Sequence, residues 1–242
     1  FGGGIAILEN NSFSYLNSSN GLSSDKVFSV FKDKGNRYWI GTSKGGINLY
    51  NGKSFTVIKE SRNFNSASAF CFYEATDGKL WIGTPGKGIF YIENNVFHQV
   101  DIPLINTDYI SKIIEDGQHN IWCATEHGLL KLYKNLNHKL FNKDNGLAGI
   151  DISSILCDYE GSIWVSCFGN GVYKLTNEAL SVYTKQHGLL ENRVIAFCHK
   201  EKGFLVSTTN GLNFFSENTI RPVSIPKELN GNLITSLLYE NK

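Results

Sequence analysis

Methionine is absent from the chain, and its first residue is Phe1. The chain therefore reads as a processed product or an excerpt of a longer one, and missing targeting segments carry no information about location. Proline is scarce, with four in 242 residues. That scarcity suits continuous strand pairing, because each proline removes a ladder donor. Charge of either sign is also missing as an excess: 23 basic residues face 22 acidic ones, for a net charge of +1. The thin spread excludes the basic patch of a general nucleic-acid or membrane-surface binder. No apolar run approaches the ~18 residues of a membrane-spanning helix, so no direct membrane insertion is expected. The five cysteines, Cys71, Cys123, Cys157, Cys167 and Cys198, are odd in number and form no CxxC. A zinc site or disulfide framework is not expected. Cys71 occupies a slot that other repeats fill with Ser29, Ser154 and Ala196, and reads as a small buried hydrophobe.

What is present is periodic. The tryptophans stand at Trp39, Trp81, Trp122 and Trp164, with steps of 42, 41 and 42 residues. A period of about 40 to 45 residues marks an array of one supersecondary unit. A second register pairs glycine with an aliphatic residue: Gly4-Ile5, Gly46-Ile47, Gly88-Ile89, Gly128-Leu129, Gly171-Val172 and Gly211-Leu212. A third precedes the tryptophans: VFSVF (27–31), AFCFY (69–73), ISKII (110–114), ISSIL (152–156), VIAFC (194–198) and ITSLL (234–238).

These segments are short, rich in Val, Ile, Phe and Tyr, and bounded by Gly, Asn, Asp and Ser, which is strand and turn chemistry. Helical repeats need longer runs at 3.6 spacing, and none is found. One unit then has four strands. Strand A is the VFSVF segment. A hairpin follows, carrying Gly35, Asp77-Gly78, Asp116-Gly117 or Gly161, where Asp-Gly suits positive backbone angles. Strand B holds the tryptophan, or Phe204 in the fifth unit. Strand C is the Gly-Ile segment. Strand D is 54–58, 96–100, 138–142, 180–184 or 221–225.

Four antiparallel strands per unit predict an all-β fold, a β-propeller of four-stranded blades. The boundaries read as one domain over 1–242: a partial blade at 1–16, blades at about 27–58, 69–100, 109–142, 151–184 and 193–225, and a closing strand at 233–240. The ends could meet in a split sixth blade, or the piece could come from a seven-bladed ring. Trp39, Trp81, Trp122, Trp164 and Phe204 are expected to fill the gaps between blades. Gly46, Gly88, Gly128, Gly171 and Gly211 are expected to be structural.

The run NGLSSDKVFSVFKDKGNRYWIGTSKGGINLYNGKSF (20–55) resembles the two-component regulator propeller repeat. Its pieces are Asn20-Gly21-Leu22, Trp39-Ile40-Gly41-Thr42 and Gly45-Gly46-Ile47, echoed by Asn145-Gly146-Leu147, His187-Gly188-Leu189 and Trp81-Ile82-Gly83-Thr84. The second and third units depart from it, reading Asn65-Ser66-Ala67 and Asn106-Thr107-Asp108. The resemblance implies a periplasmic ectodomain of a hybrid two-component sensor histidine kinase. It also implies the rest of a sensor-kinase chain as partner.

Propeller function resides in loops, so the fold alone names none. The D–A and B–C connections share one face. D–A supplies Asp25, Lys26, Asp108, Tyr109, Asp151, Asn192 and Arg193; B–C supplies Lys44, Lys87, Glu126, His127, Phe168, Asn170 and Asn210. Mixed Asn, Asp, Lys and aromatic groups suit an oligosaccharide or another small polar ligand. The candidate ligand-binding set is Lys44, Lys87, Tyr109, Glu126, His127, Phe168, Asn170, Arg193 and Asn210. No catalytic residue is assigned; His127 beside Glu126 is the one acid–base possibility. His98, His119, His127, His138, His187 and His199 lack metal-ligand spacing, the Asp-Gly turns lack the repeated acids of a calcium loop, and no cofactor is expected. Three readings result: a non-catalytic sensor segment, an interaction or dimerisation ring, and a lyase or hydrolase on a propeller scaffold.

Overall fold

The computed structural model describes residues 2–43, 46–58, 68–149, 151–216, 219–225 and 234–237. Where the sequence reads as one array, the chain divides into two compact units, Phe1–Ile113 and Ile114–Lys242. The strands run β1 (Ile5–Glu9), β2 (Ser12–Leu16), β3 (Val27–Lys32), β4 (Tyr38–Thr42), β5 (Ile47–Tyr50), β6 (Phe55–Ile58), β7 (Cys71–Glu74), β8 (Leu80–Gly83), β9 (Ile89–Glu93), β10 (Val96–Gln99), β11 (Lys112–Glu115), β12 (Ile121–Thr125), β13 (Gly128–Leu132), β14 (His138–Phe141), β15 (Ile152–Cys157), β16 (Ile163–Cys167), β17 (Gly171–Thr176), β18 (Ala179–Tyr183), β19 (Val194–Lys200), β20 (Gly203–Thr208), β21 (Gly211–Ser216) and β22 (Thr219–Val223). They form one two-stranded sheet, β1-β2, and then four-stranded sheets in chain order, each an antiparallel meander from A to D. These are propeller blades. Of the expected closing strand, residues 234–237 lie in no strand and the others are outside the described residues.

Two strand A positions start later than the sequence suggests. Ala69 and Phe70 precede β7, and Ile110 and Ser111 precede β11. The reason at the third blade is a competing partner. Ile110 N–H donates to Thr84 O at 2.9 Å, and Tyr109 bridges Pro85, so this stretch bonds to the preceding blade first.

The A–B hairpins also correct an expectation. The left-handed residues are Asn36, Gly78, His119, Gly161 and, in the fifth blade, Lys202. Gly35 and Gly117 are not in that region, so the Asp-Gly reading placed the special angle two residues early at 116–117. The cause is a larger loop closed by its first residue: Asp33 N–H bonds Arg37 O, and Asn36 N–H bonds Asp33 O. Asp116 and Asp158 repeat this pair of bonds. Several C–D turns place two successive residues at positive φ, at Asn10-Asn11, Asn94-Asn95 and Asn177-Glu178. That is the two-residue turn that matches strand twist.

Each core lies between successive blades. Trp39 packs with Leu80, Ile82, Phe90 and Ile92 of the second blade. Trp122 packs with Ile155, Ile163 and Val165 of the fourth. Trp164 packs with Phe197, Phe204 and Val206 of the fifth, its ring 4.7 Å from that of Phe204. Strand A supplies a polar staple to the next blade: Ser29 Oγ donates to Ala69 O at 3.0 Å, and Ser153 Oγ to Val194 O at 2.8 Å. Cys71 Sγ–H takes the same role toward Ile110 O at 3.5 Å, and burial pushes its thiol up to about 12. This close approach explains glycine in the Trp-Ile-Gly-Thr run. A Cβ on Gly41 would stand 1.9 Å from Ala69 O.

Candidate functional site

The Asn-Gly-Leu lead-ins are built devices. Asn17, Asn142 and Thr184 each begin a single 3-10 turn, at Ser18–Asn20, Lys143–Asn145 and Lys185–His187. The first backbone N–H is accepted by the side chain three residues on: Asn20 Oδ1 at 3.0 Å, Asn145 Oδ1 at 2.7 Å and His187 Nδ1 at 3.1 Å. His187 thus replaces asparagine as an acceptor and is not a free catalytic group. Gly21, Gly146 and Gly188 follow in the left-handed region, where only glycine is unstrained. Leu22, Leu147 and Leu189 then plug the core.

A second set, missed in the sequence, holds these turns from below. Asn48 and Asn213 are fully buried. Asn48 Oδ1 accepts from Ser23 N–H at 2.9 Å, and its amide donates to Ser23 Oγ at 2.8 Å. Asn213 accepts from Leu190 N–H at 3.0 Å and donates to Gly188 O at 3.1 Å. The signal was available: blades with the lead-in carry Asn48, Tyr173 or Asn213 at the second strand C position, while blades without it carry Phe90 or Leu130.

The D–A and B–C connections are stitched by backbone bonds. Gly4, Gly88 and Gly171 donate to Asp25 O, Asp108 O and Asn192 O. Ser43, Phe168 and Thr209 donate to Lys26 O, Asp151 O and Arg193 O. Gly46, Gly88, Gly128, Gly171 and Gly211 all take positive φ. A Cβ on Gly128 or Gly171 would meet a strand D carbonyl at 2.2 Å.

In the first unit, Lys44 lies outside the described residues. Lys87 is half-buried, with its N–H on Thr84 Oγ1 at 3.0 Å. Tyr109 packs against Phe70 with ring centroids 4.5 Å apart and planes tilted by 55°, and Phe70 stands 5.9 Å from Phe28. Lys26 Nζ lies 5.6 Å from the Phe28 ring. Phe28 is the extra residue of a bulge between Val27 and Ser29, a feature that re-aims side chains. Phe28 and Phe70 sit inside strand A segments that read as core, so sequence reasoning did not single them out. A separate hollow of about 410 Å³ lies at the A–B end, lined by Phe31, Asp33, Lys34, Tyr73 and Glu74 among others.

In the second unit, Phe168 and Arg193 come together, with the guanidinium carbon 4.5 Å from the ring centroid. Glu126 and His127 are exposed in the turn between β12 and β13, and His127 N–H donates to Thr125 Oγ1 at 3.1 Å. Asn210 occupies the matching turn of the fifth blade, with its N–H on Thr208 Oγ1 at 3.2 Å. Asn170 N–H bonds Cys167 O at 3.0 Å, and its side chain lies beside Gly149. Burial pushes the Cys167 thiol up to about 12. Among the described residues no cluster of His, Cys, Asp or Glu could hold a metal ion.

The fold and these connections define a β-propeller domain whose loops are fixed by backbone bonding. Two stretches, 21–44 and 63–86, match the two component regulator propeller family. Among solved structures, the chain is 26% identical to the extracellular domain of the putative hybrid two component system BT3049 from B. thetaiotaomicron, with a TM-score of 0.70. That match covers 82% of this chain and 28% of the other. The extracellular domain of the hybrid system BT4673 from the same organism is 22% identical, with a TM-score of 0.76, over 96% of this chain and 34% of the other. The chain thus spans about a third of those proteins' length. Virginiamycin B lyase from Staphylococcus aureus shares the fold, at 12% identity and a TM-score of 0.68 over 84% of this chain and 71% of the other. None of the curated proteins compared with the chain matches it.

Proposed function

We propose that this chain is a non-catalytic, ligand-sensing propeller segment in the periplasmic part of a two-component sensor histidine kinase. The observation that carries the reading is the repeat itself, together with 26% identity over 82% of the chain to an extracellular domain of a hybrid two component system. The ligand is a carbohydrate or another polar molecule held on the D–A and B–C face. The candidate contacts are Lys87 and Tyr109 within the first unit and, taken by themselves, Glu126, His127, Phe168, Asn170, Arg193 and Asn210 within the second. Lys44 belongs to the same set. Variable side chains on a backbone-stitched floor suit such a role, because rigid support lowers the ordering cost of binding.

The test is calorimetry of the intact sensor against a glycan library, with autophosphorylation as the second readout. Saturable binding that alters kinase output supports the reading. Glycan-independent output, with concentration-dependent association of the isolated propeller in light scattering, favours the alternative of an interaction and dimerisation ring.

A further inference from the structure

The Phe168–Arg193 pair combines exposed side chains with a fixed backbone. Both residues are exposed, Phe168 at 40%, yet both backbones are fixed. Phe168 N–H is bound to Asp151 O at 2.8 Å, and Arg193 O accepts from Thr209 N–H at 3.0 Å. The neighbouring Asn192 O accepts from Gly171 N–H at 2.9 Å, and its side chain accepts from Lys185 N–H at 2.8 Å. The guanidinium carbon lies over the ring, 4.5 Å from the centroid. A cation–π contact consumes none of the guanidinium N–H donors, which form the fork that fits a carboxylate. No described ion pair consumes them.

The acidic groups nearby are Glu191 and Asp151. Glu191 makes its bonds to other partners, Oε1 accepting from Asn192 N–H at 2.8 Å and Oε2 lying 3.4 Å from Lys185 Nζ, and Arg193 acts on it only through its charge. Asp151 influences the Cys167 thiol beneath the turn. An exposed arginine packed on an aromatic ring, with the neighbouring Glu191 bonded to other partners, is prepared for an incoming anion.

We propose that Arg193, held on Phe168, is a receptor for the carboxylate of the ligand, and that the ligand is an oligosaccharide containing uronic acid. The saccharide part rests on the proposed sensor function; the carboxylate part rests on the pair itself. Phe168 presents its remaining exposed surface to the apolar side of the sugar ring, and Arg193 takes the acid.

The experiment titrates the intact sensor with oligogalacturonate, oligoglucuronate and oligomannuronate, each beside its methyl-esterified form, and with a neutral glycan library and a glutamate-rich peptide. Binding of one free acid on the order of tenfold or more tighter than its ester is expected, matching a charge-assisted hydrogen bond. Arg193→Ala should erase that preference, and Arg193→Lys should keep only part of it. Phe168→Leu should weaken the acid more than the ester. Equal binding of acid and ester, or a preference that survives Arg193→Ala, overturns the carboxylate assignment. Neutral glycans binding alone would sink this proposal while leaving the sensor reading intact. Binding of the peptide alone, or of nothing, would sink both.

Discussion

The indole N–H of Trp39 donates to Asp33 Oδ2 at 2.8 Å, joining strand B to the head of its own hairpin. Asp33 also accepts from Arg37 N–H at 2.8 Å and from Arg37 Nε at 2.7 Å. Asp116 repeats the bond to Trp122 at 2.8 Å, and Asp158 to Trp164 at 2.6 Å. Each aspartate thus closes its hairpin and satisfies the polar atom of a ring buried between blades. Burial raises the Asp33 carboxyl, but the bonds from Trp39 and Arg37 outweigh it and hold the group below its ordinary value.

Asp33→Ala should destabilise the protein by about 1–3 kcal/mol, the cost of leaving buried donors unpaired. Urea denaturation followed by tryptophan fluorescence measures it. Because the folded pKa lies below the unfolded one, the carboxylate contributes fully above the unfolded value near ~3.9. That contribution is lost as pH falls through the folded value. The difference in stability between wild type and Asp33→Ala should therefore shrink on acidification below about pH 4. A difference that is flat down to pH 2 would show that the carboxylate charge is not what the site uses.

The second blade offers the reverse experiment. Ala75 stands where the first, third and fourth blades have aspartate, and its hairpin closes with the same backbone bonds, Ala75 N–H to Lys79 O and Gly78 N–H to Ala75 O. Ala75→Asp should place a carboxylate within reach of the Trp81 indole and add about 0.5–1.5 kcal/mol. The fifth blade has a shorter hairpin in which Phe204 faces His199, and its ring has no N–H to satisfy. Phe204→Trp should therefore destabilise for want of an acceptor, and in the second blade Trp81→Phe should erase the gain from Ala75→Asp in a double-mutant cycle. Strictly additive effects would refute the coupling.

The blades were legible in the sequence because tryptophan, glycine and the strand A pattern kept phase over the whole chain. The aspartate partner was not read, since Ala75 and the shorter hairpin of the fifth blade break its register. Asn48 and Asn213 were hidden inside short apolar strands, where a polar residue ordinarily reads as the solvent side. Their burial depends on a loop that returns from before strand A. The pairing of Arg193 with Phe168 joins loops of two blades, and no local pattern encodes it. Strand A began late in the third blade because Tyr109 and Ile110 bond to Thr84 and Pro85, a competition between blades that periodicity cannot display.

Asn213→Leu should cost about 1–3 kcal/mol, because Leu190 N–H and Gly188 O lose their buried partner. Phe90 and Leu130 show that an apolar residue is accepted at this slot when the lead-in is absent. The damage should therefore be local. Hydrogen exchange should accelerate at residues 188–190 of the fifth blade and remain unchanged at 145–147. Uniform acceleration through the second unit would instead mean a general loss of packing.

Gly41 and Gly117 test the account of close blade approach. A Cβ at Gly41 would stand 1.9 Å from Ala69 O and 2.7 Å from Ser29 Oγ, so Gly41→Ala must push apart the first two blades and break their staple. A loss of about 1–3 kcal/mol is expected, as for other overpacked sites. At Gly117 a Cβ meets nothing within 4 Å and the backbone is not left-handed. Gly117→Ala should therefore be neutral or stabilise by about 0.4–1 kcal/mol, through the reduced entropy of the unfolded chain. Thermal unfolding of the two variants side by side decides the matter. If Gly41→Ala melts with Gly117→Ala, the glycine of the Trp-Ile-Gly-Thr run is not there for contact with the next blade.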